Sequence, residues 1–563
     1  MDYKKYIAQK IDIEGVSAEE IAGFIEVPPT PEVGDYALPC FRFAKVLRKS
    51  PVQIAASLKD GFVCDEIISA VEAVNGYLNF RLNRVALVKE VVDKVLSEGA
   101  LYGNSAEGEG KTVCIDYSSI NIAKPFHIGH LSTTVIGAAL YRIFNALGYK
   151  AVGINHLGDY GTQFGKLIYA VKTWGDIEVV KSQGLKELTR LYVYYHDQAE
   201  LHPEIDDEAR AYFKAIEDGD EECNRLFEFF KSITLKEIEK IYNLLDVKFD
   251  SYAGESFYND KMQPVIDELT NDGLLIESEG AKVVDLSEYD MPPCIILRSD
   301  GASLYATRDL AAALYRKNTY DFYKCLYVVA YQQDLHFKQI FKVLELMGKP
   351  WYKDMVHVSY GMVSMEDGAM STRKGKVVLL EDVINKTIEK ALDVINAKNP
   401  DLENKEETAV KVGTGAVIFG ALSSAKIKDI VFSYDKVLNF DGETGPYCQY
   451  TVARCNSVLK KGEAYDLSSG YSAKEVNDNE YELATLIGSF PSVLKAAAEK
   501  YEPSFVTRFA VDVAKAFNKF YFESKIVSED KTLTENRLRL TKATQLCLKK
   551  ALSLLGIKTP EKM

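Results

Sequence analysis

The chain has 563 residues, 47% hydrophobic and 27% charged, with a formal net charge of −14. That composition is ordinary for a soluble globular protein, and the length leaves room for about three or four domains. No stretch reaches the ~18 apolar residues of a membrane span, and the acidic balance weighs against a nucleic-acid partner unless basic residues are gathered locally.

The opening segment "MDYKKYIAQKIDIEG" lacks the apolar core of a secretory signal. The nine cysteines are scattered without a C-x-x-C pair, which argues against a zinc site or a disulfide framework and for a reducing compartment. The first part of the chain mixes helical patterns with an alternating run, "AVEAVNGYLNFRLN". It closes on an amphipathic helix, "RVALVKEVVDKVLSEG", ended by Gly99. The Gly/Glu-rich "YGNSAEGEGK" reads as a domain boundary.

Next, "TVCIDYSS" predicts a buried strand that turns polar at its C-terminal end. A loop leads to "HLSTTVIGAALYRIFNALG", where Leu131, Val135, Ala139 and Ile143 recur every four residues and Gly148 caps the helix. "YKAVGINHLGD" is a second strand. Strand, helix, strand with a short return is a βαβ unit, so the sheet should be parallel. "KCLYVVAYQQDLH" and "DMVHVSYGMVSM" repeat the form. Ligands of such sheets sit beyond the carboxyl ends of the strands, where the sequence places Asp116, Ser119, His127, His130, His156, Asp159, Gln333 and His336. A largely helical insertion runs from about Thr173 to Asp250, and its acidic patch "EDGDEECNRLFEFF" reads as a solvated helix end. After about Glu407 the pattern is almost wholly helical.

Four stretches carry candidate chemistry. In "NIAKPFHIGHLSTT", His127 and His130 share one side of a first helical turn, where unpaired N–H groups and the helix dipole suit phosphate, and Gly129 lets a ligand approach the backbone. Alone, H-I-G-H fits either that role or two surface histidines on a helix cap; its spacing is poor for zinc. "GAMSTRKGKVV" fits a mobile basic clamp for a triphosphate or an ordinary basic turn. Tyr305 and Asp309, four apart in "SDGASLYATRDLAAALYR", can hold a guanidinium or form an exposed polar pair. The three glycines of "NHLGDYGTQFGKL" suggest a tight pass of backbone around a ligand.

H-I-G-H followed by the M-S-T-R-K-G loop resembles the class I aminoacyl-tRNA synthetases. "SSINIAKPFHIGHLSTTVIG", "HLGDYGTQFGKLI", "DGASLYATRDLAAALYR", "QQDLHFKQIF" and "GETGPYCQYTVAR" narrow the resemblance to the arginyl-tRNA synthetases, over nearly the whole chain. The resemblance implies an α/β fold: a Rossmann-like parallel-sheet catalytic domain, an N-terminal α+β domain and an all-helical C-terminal anticodon-binding domain. It implies a tRNA D-loop-binding domain at 1–103, a catalytic domain at 104–372 with the insertion at about 173–250, a signature-loop and stem-contact region at 373–435, and an anticodon-binding domain at 436–563.

The activity it implies is ATP-dependent formation of arginyl-adenylate and transfer of arginine to the 3′ end of tRNA(Arg), usually with tRNA needed for the first step. The expected partners are ATP with Mg²⁺, L-arginine and tRNA(Arg), for a cytoplasmic monomer with no membrane partner and no metal site of its own. His127, Gly129 and His130, with Met370 and Ser371, would hold ATP. Asp116, Ser119, Asn121, Tyr305, Asp309 and Gln333 would hold arginine. Tyr77 and Asn79 would read the tRNA D-loop, while Tyr447, Tyr450, Arg454 and Tyr521 would approach the anticodon loop. Two departures stand out. The Lys-Met-Ser-Lys of class I enzymes is here Ala369-Met370-Ser371-Thr372, a loss that many arginyl enzymes share, so Lys124 and Lys374 become the candidate phosphate lysines. Ile120 stands where the family usually has proline, which implies a less rigid Asn121 loop. A small-molecule nucleotidyltransferase or an inactive tRNA-binding paralogue are the alternatives.

Overall fold

The computed structural model describes residues 3–30, 33–298, 305–366 and 378–563. They fall into two compact units. The first joins residues 1–99 to 458–489 and 515–546. Its sheet has strands β1 (Tyr36–Pro39), β2 (Ile68–Val74) and β3 (Tyr77–Leu82), antiparallel in the order β1-β3-β2. The predicted alternating run is the β2–β3 hairpin. Its two-residue loop, Asn75 (φ 50°) and Gly76 (φ 83°), is an Asn-Gly pair with both residues in the left-handed region, as a tight right-twisted hairpin needs.

Helix α1 (Arg84–Glu98) starts at Asn83, whose side chain caps the amides of Val85 and Ala86, and it ends at Gly99 as predicted. It buries Leu87, Val88, Val91, Val92 and Val95. Against it lies the helix Asp478–Gly488. The Arg84 guanidinium covers the Tyr481 ring at 4.8 Å, and Tyr481 donates to Asp35 at 2.7 Å.

The second unit holds residues 100–457, 490–514 and 547–563. Its central sheet is made of β4 (Thr112–Asp116) and β5 (Lys150–Ile154), with β9 (Lys324–Tyr327) and β10 (Met355–His357) beyond one further set of three strands. All pairs are parallel, in the order β10-β9-β4-β5. The four predicted strands and the parallel sheet are therefore present. β4 is flanked by β5 on one side and β9 on the other, so the chain order reverses at its carboxyl end, the place where open α/β sheets bind ligands. Helix α2 (Leu131–Ala146) crosses from β4 to β5, and Gly137 permits this: a Cβ there would sit 2.2 Å from the Tyr117 ring.

Between β5 and β9 the chain first runs helical, from Thr162–Trp174 through to α3 (Glu221–Leu244). The acidic patch is the turn into α3, where Asp220 caps the Cys223 amide. The sequence reading did not foresee the antiparallel sheet that follows, β6 (Leu275–Ser278), β7 (Ala281–Val284) and β8 (Cys294–Leu297). These strands are four residues each, too short for a period to stand out from the helical surroundings. Helix α4 (Tyr305–Tyr320) then packs Leu310, Ala311 and Ala313 into a core with Cys114, Cys325 and Ile340. After β10, short strands β11 (Val363–Met365) and β12 (Ile430–Phe432) pair in parallel. The rest is mainly helical, including α5 (Gly445–Lys461) and α6 (Ser504–Glu523).

Candidate active site

The loop leaving β4 is held in a conformation that side chains resist. Ser118 (φ 71°), Ser119 (φ 44°) and Ala123 (φ 61°) all lie in the left-handed region. Each such residue costs on the order of 1–3 kcal/mol, and it persists only where its surroundings dictate it. Here they do. The Ser118 amide donates to Thr133 Oγ1 at 3.0 Å, the Ser118 hydroxyl bonds Tyr242 at 2.7 Å, and the Ala123 amide donates to Thr234 on α3 at 3.1 Å. The Ile122 amide and the Ile120 carbonyl both bond the backbone of Gly158, at 3.1 and 2.8 Å. The looser loop expected from Ile120 is therefore not what forms: backbone bonds on both sides of Asn121 supply what a proline would have supplied through its ring.

The glycines of "NHLGDYGTQFGKL" also have another use than the one expected. A Cβ on Gly158 would fall 2.2 Å from Asn121 Oδ1, and one on Gly165 would fall 1.9 Å from the Ala209 carbonyl. Gly158 thus gives room to the Asn121 side chain and Gly165 to the Ala209 backbone, while Gly161 (φ 133°) has open space around it. Asn121 itself is exposed at the tip of the loop.

His127 and His130 close on each other through a short 3₁₀ turn, Ile128–His130, that precedes α2; they do not lie on the first turn of the α-helix itself. Their rings stand 3.9 Å apart. Nδ1 of His127 accepts from the Gly129 amide at 3.1 Å, and Nδ1 of His130 accepts from the His127 amide at 3.2 Å. Both Nδ1 atoms are thus acceptors, which leaves each Nε2 to carry the proton. Burial, then the charge of Lys124, lowers the pKa of His127; burial, then His127 itself, pushes that of His130 down to about 3. At neutral pH the pair is two uncharged Nε2–H donors.

Lys124 is half-buried, and burial lowers its pKa against the opposing pull of Glu255. Among the described residues it makes no hydrogen bond or ion pair. Lys374, Met370 and Ser371 lie outside the described residues.

At the start of α4, Tyr305 is 66% exposed, and Asp309 follows one turn later, 2.6 Å from His336 Nε2. Burial works against the charge of Asp309, but His336, His156 and Arg316 together hold its carboxyl below the usual range. Asp116, at the end of β4, is buried and accepts from Ser119 and from Arg316, each at 2.7 Å. Gln333 is exposed, in a short turn after β9. The predicted arginine ligands therefore all sit at the carboxyl end of the parallel sheet, but Asp116 already has a cation.

Two residues that the sequence reading missed belong here. Arg316 is one. Glu255 is the other, in "AGESFY" between α3 and β6: burial first, then Asp309 and Asp159, push its pKa up to about 7, against Arg308 and Lys124. Its loop is pinned by Asp159, whose carboxylate takes the Ser256 amide at 2.9 Å, the Ser256 hydroxyl at 2.8 Å and Lys231 at 2.6 Å. Nothing in the local pattern around Glu255 signals this, because its neighbours come from α3, α4 and the loop after β5. An acid with its pKa near 7 is neutral below and anionic above. We expect kcat/KM for a cationic substrate to rise with pH through about 7, and that rise to vanish in Glu255→Gln; an unchanged profile would exclude contact between Glu255 and the cation.

The residues expected to meet tRNA are spread over both units. Tyr77 packs edge-on against Phe41, itself half-exposed, at 5.3 Å. Asn79 is not on that surface. It is 2% exposed on the central strand β3, between Ala37 and Glu72 and beneath the backbone at Gly34. On α5, Arg454 lies over the Tyr450 ring at 4.9 Å, and Tyr447 is one turn earlier on the same helix. Tyr521 stacks on Phe517 and stands beside Phe522, which is 73% exposed.

Comparison with known proteins identifies the family. The family model described as "tRNA synthetases class I (R), catalytic domain" matches residues 91–434, the arginyl-tRNA synthetase N-terminal domain matches 1–82, and the DALR anticodon-binding domain matches 448–563. The arginine–tRNA ligases of Clostridioides difficile and Clostridium beijerinckii are each 52% identical, over 100% of this chain and of their own. The solved Thermus thermophilus arginyl-tRNA synthetase superposes with a TM-score of 0.79 at 26% identity, covering 96% of both chains. With a catalytic family model over more than half its length and full-length relatives at that identity, the chain belongs to the class I arginyl-tRNA synthetases, and its activity is that of an arginine–tRNA ligase.

Proposed function

We propose that the strained loop after β4, the histidine turn and the first turn of α4 form one pocket in which arginine meets ATP. The observation that carries this reading is the pair of neutral imidazoles with both Nδ1 atoms occupied and both Nε2–H groups left to donate. Such donors are preorganised for phosphate oxygens and gain strength as charge builds on them. Asp309, with Tyr305 and Glu255, takes the substrate guanidinium; Ser119 and Asn121 take the amino-acid end, and Gln333 closes it from the β9 side. The arginine carboxylate oxygen then forms a bond to the α-phosphorus, the bond to the bridging oxygen breaks, and pyrophosphate leaves. The 3′-terminal ribose hydroxyl next attacks the arginyl carbonyl, and AMP leaves. The protein supplies alignment and charge, and no nucleophile of its own.

Lys124, His127, His130 and Lys374 are the residues assigned to the phosphates, with Gly129, Met370 and Ser371 against the nucleotide. Among the described residues no three carboxylate, imidazole or thiol groups gather to hold a metal. We assign Mg²⁺ to the nucleotide phosphates, where it would neutralise their charge. Tyr77 on the hairpin, Tyr447, Tyr450 and Arg454 on α5, and Tyr521 on α6 are the proposed tRNA contacts, stacking on bases or pairing with phosphate. The catalytic region is assigned to 104–372, flanked by the tRNA-binding regions 1–103, 373–435 and 436–563. We assign the chain to the cytoplasm as a monomer. Nine free thiols, eight of them buried, suit a reducing compartment, and among the described residues no helix is long and apolar enough to cross a membrane.

The test is ATP–pyrophosphate exchange with each amino acid in turn, with and without tRNA(Arg). Signal is expected for arginine alone, and only with tRNA present. Exchange with another amino acid, or none at all, would overturn the reading; full exchange without tRNA would favour a nucleotidyltransferase acting on small molecules.

A further inference from the structure

Among the proposed arginine ligands, Asp116 is already bonded to a guanidinium belonging to the chain. Its Oδ2 accepts from Nη2 of Arg316 at 2.7 Å, and its Oδ1 from Ser119 at 2.7 Å. Arg316 is 1% exposed and lies over the Tyr327 ring at 5.2 Å; its Nη2 is 3.4 Å from His156 Nδ1. Its Nε and Nη1 are buried and have no hydrogen-bond partner among the described residues. A buried cation with two orphan donors is a costly way to build a floor, and a packed apolar residue is often as stable or more so. The cost points to a role in the site.

Tyr305, Asp309 and Arg316 all lie on α4. At about 100° per residue they fall within roughly 40° of one another, on one face of the helix. At 1.5 Å rise per residue, Asp309 and Arg316 are about 10 Å apart along it. One helix therefore reaches both carboxylates: it carries Asp309, and its Arg316 bonds Asp116 with Nη2 3.4 Å from His156 Nδ1. At one end Asp309 is held ionised. At the other, Asp116 and Arg316 cancel.

Arginine carries two cations, a guanidinium and an α-ammonium, on a flexible stem. Two bare carboxylates facing each other along a slot would accept it in either direction, and the reversed direction takes its carboxylate away from the histidine turn. We propose that Arg316 sets the direction in which arginine enters. By neutralising Asp116 it leaves Asp309 as the pole for the guanidinium, while the remaining lone pairs of Asp116 accept from the α-ammonium. Arg316 touches no substrate; it is a positioning residue that acts through Asp116. This rests on the assignment of the guanidinium to Asp309.

The experiment compares Arg316→Gln, Arg316→Lys, Asp116→Asn and the double variant in tRNA-supported exchange, with KM for arginine and ATP and thermal unfolding of each. Arg316→Gln is expected to raise the arginine KM by at least about tenfold, to introduce inhibition by excess arginine, and to leave the ATP KM within about twofold. Arg316→Lys, which keeps the charge, should recover most of the loss. In the Asp116→Asn background the same Arg316→Gln change should add less than about threefold. If Arg316→Gln does not fold, the double variant, which buries neither charge, is compared with Asp116→Asn alone. Equal losses in both backgrounds, or equal rises in both KM values, would overturn the proposal. Asp309→Ala separates it from the reading beneath it: an unchanged arginine KM there removes the guanidinium assignment itself, whereas a raised one together with an additive cycle removes only the role of Arg316.

Discussion

Lys124→Ala is expected to slow arginyl-adenylate formation by more than about 10²-fold, the size of loss that follows removal of one preorganised transition-state donor. The reasoning starts from what is missing. The signature loop has Ala369 and Thr372 where class I enzymes in general have lysines, so the phosphates lack two cations. Lys124 stands three residues before His127, half-buried, with its pKa lowered by burial and with no ion pair among the described residues. An ammonium kept partly dry without a partner is disfavoured in the free protein. A polyphosphate arriving over the histidine turn would relieve that cost, and charge moving toward the leaving pyrophosphate would increase the relief. Pre-steady-state exchange with tRNA bound measures the step directly. Lys124→Arg should retain much of the rate, since it keeps the charge. A near-normal rate for Lys124→Ala would move the role to Lys374.

For Asp309→Ala the expected change lies in binding: an arginine KM raised by about 10²-fold with the ATP KM little altered, in line with loss of one partner of a desolvated charge pair. Asp309 bonds His336, 2.6 Å away, and among the described residues no lysine or arginine pairs with it. The fork of a guanidinium can bond the carboxylate and the Tyr305 phenol together, whereas an ammonium offers no such planar pair of donors. Discrimination against lysine should therefore fall with the arginine affinity. Equal effects on arginine and ATP would count against a guanidinium contact and for a general loss of site structure.

Much of this site can be read from the chain because its residues announce themselves locally. His127 and His130 are two of only seven histidines, and they stand where a buried strand turns polar before a helix with a regular apolar stripe. Tyr305 and Asp309 are one helical turn apart, so spacing alone puts them together. Arg316 and Glu255 could not be found that way. Arg316 meets Asp116 across 200 residues, and seven positions beyond Asp309 it looks like the basic end of an amphipathic helix. Glu255 owes its character to Asp309, Asp159 and burial, none of which is visible in "AGESFY". The burial of Asn79 was also hidden, because β3 is the central strand and the chain at Gly34 lies against it. The rigidity of the Asn121 loop was equally hidden, since the bonds that hold it come from Gly158, α2 and α3.

The first compact unit has a consequence for how the chain is made. It closes Asp35 against Tyr481, 446 residues later, and it borrows the helix Asp478–Gly488 to cover α1. During synthesis the small N-terminal sheet leaves the ribosome with that flank bare. At about 5–20 residues per second it waits on the order of tens of seconds for its partner. The apolar face of α1 thus stays bare in the nascent chain until then, and the central sheet of the second unit, complete by His357, has time to form before the helix Asp478–Gly488 is made.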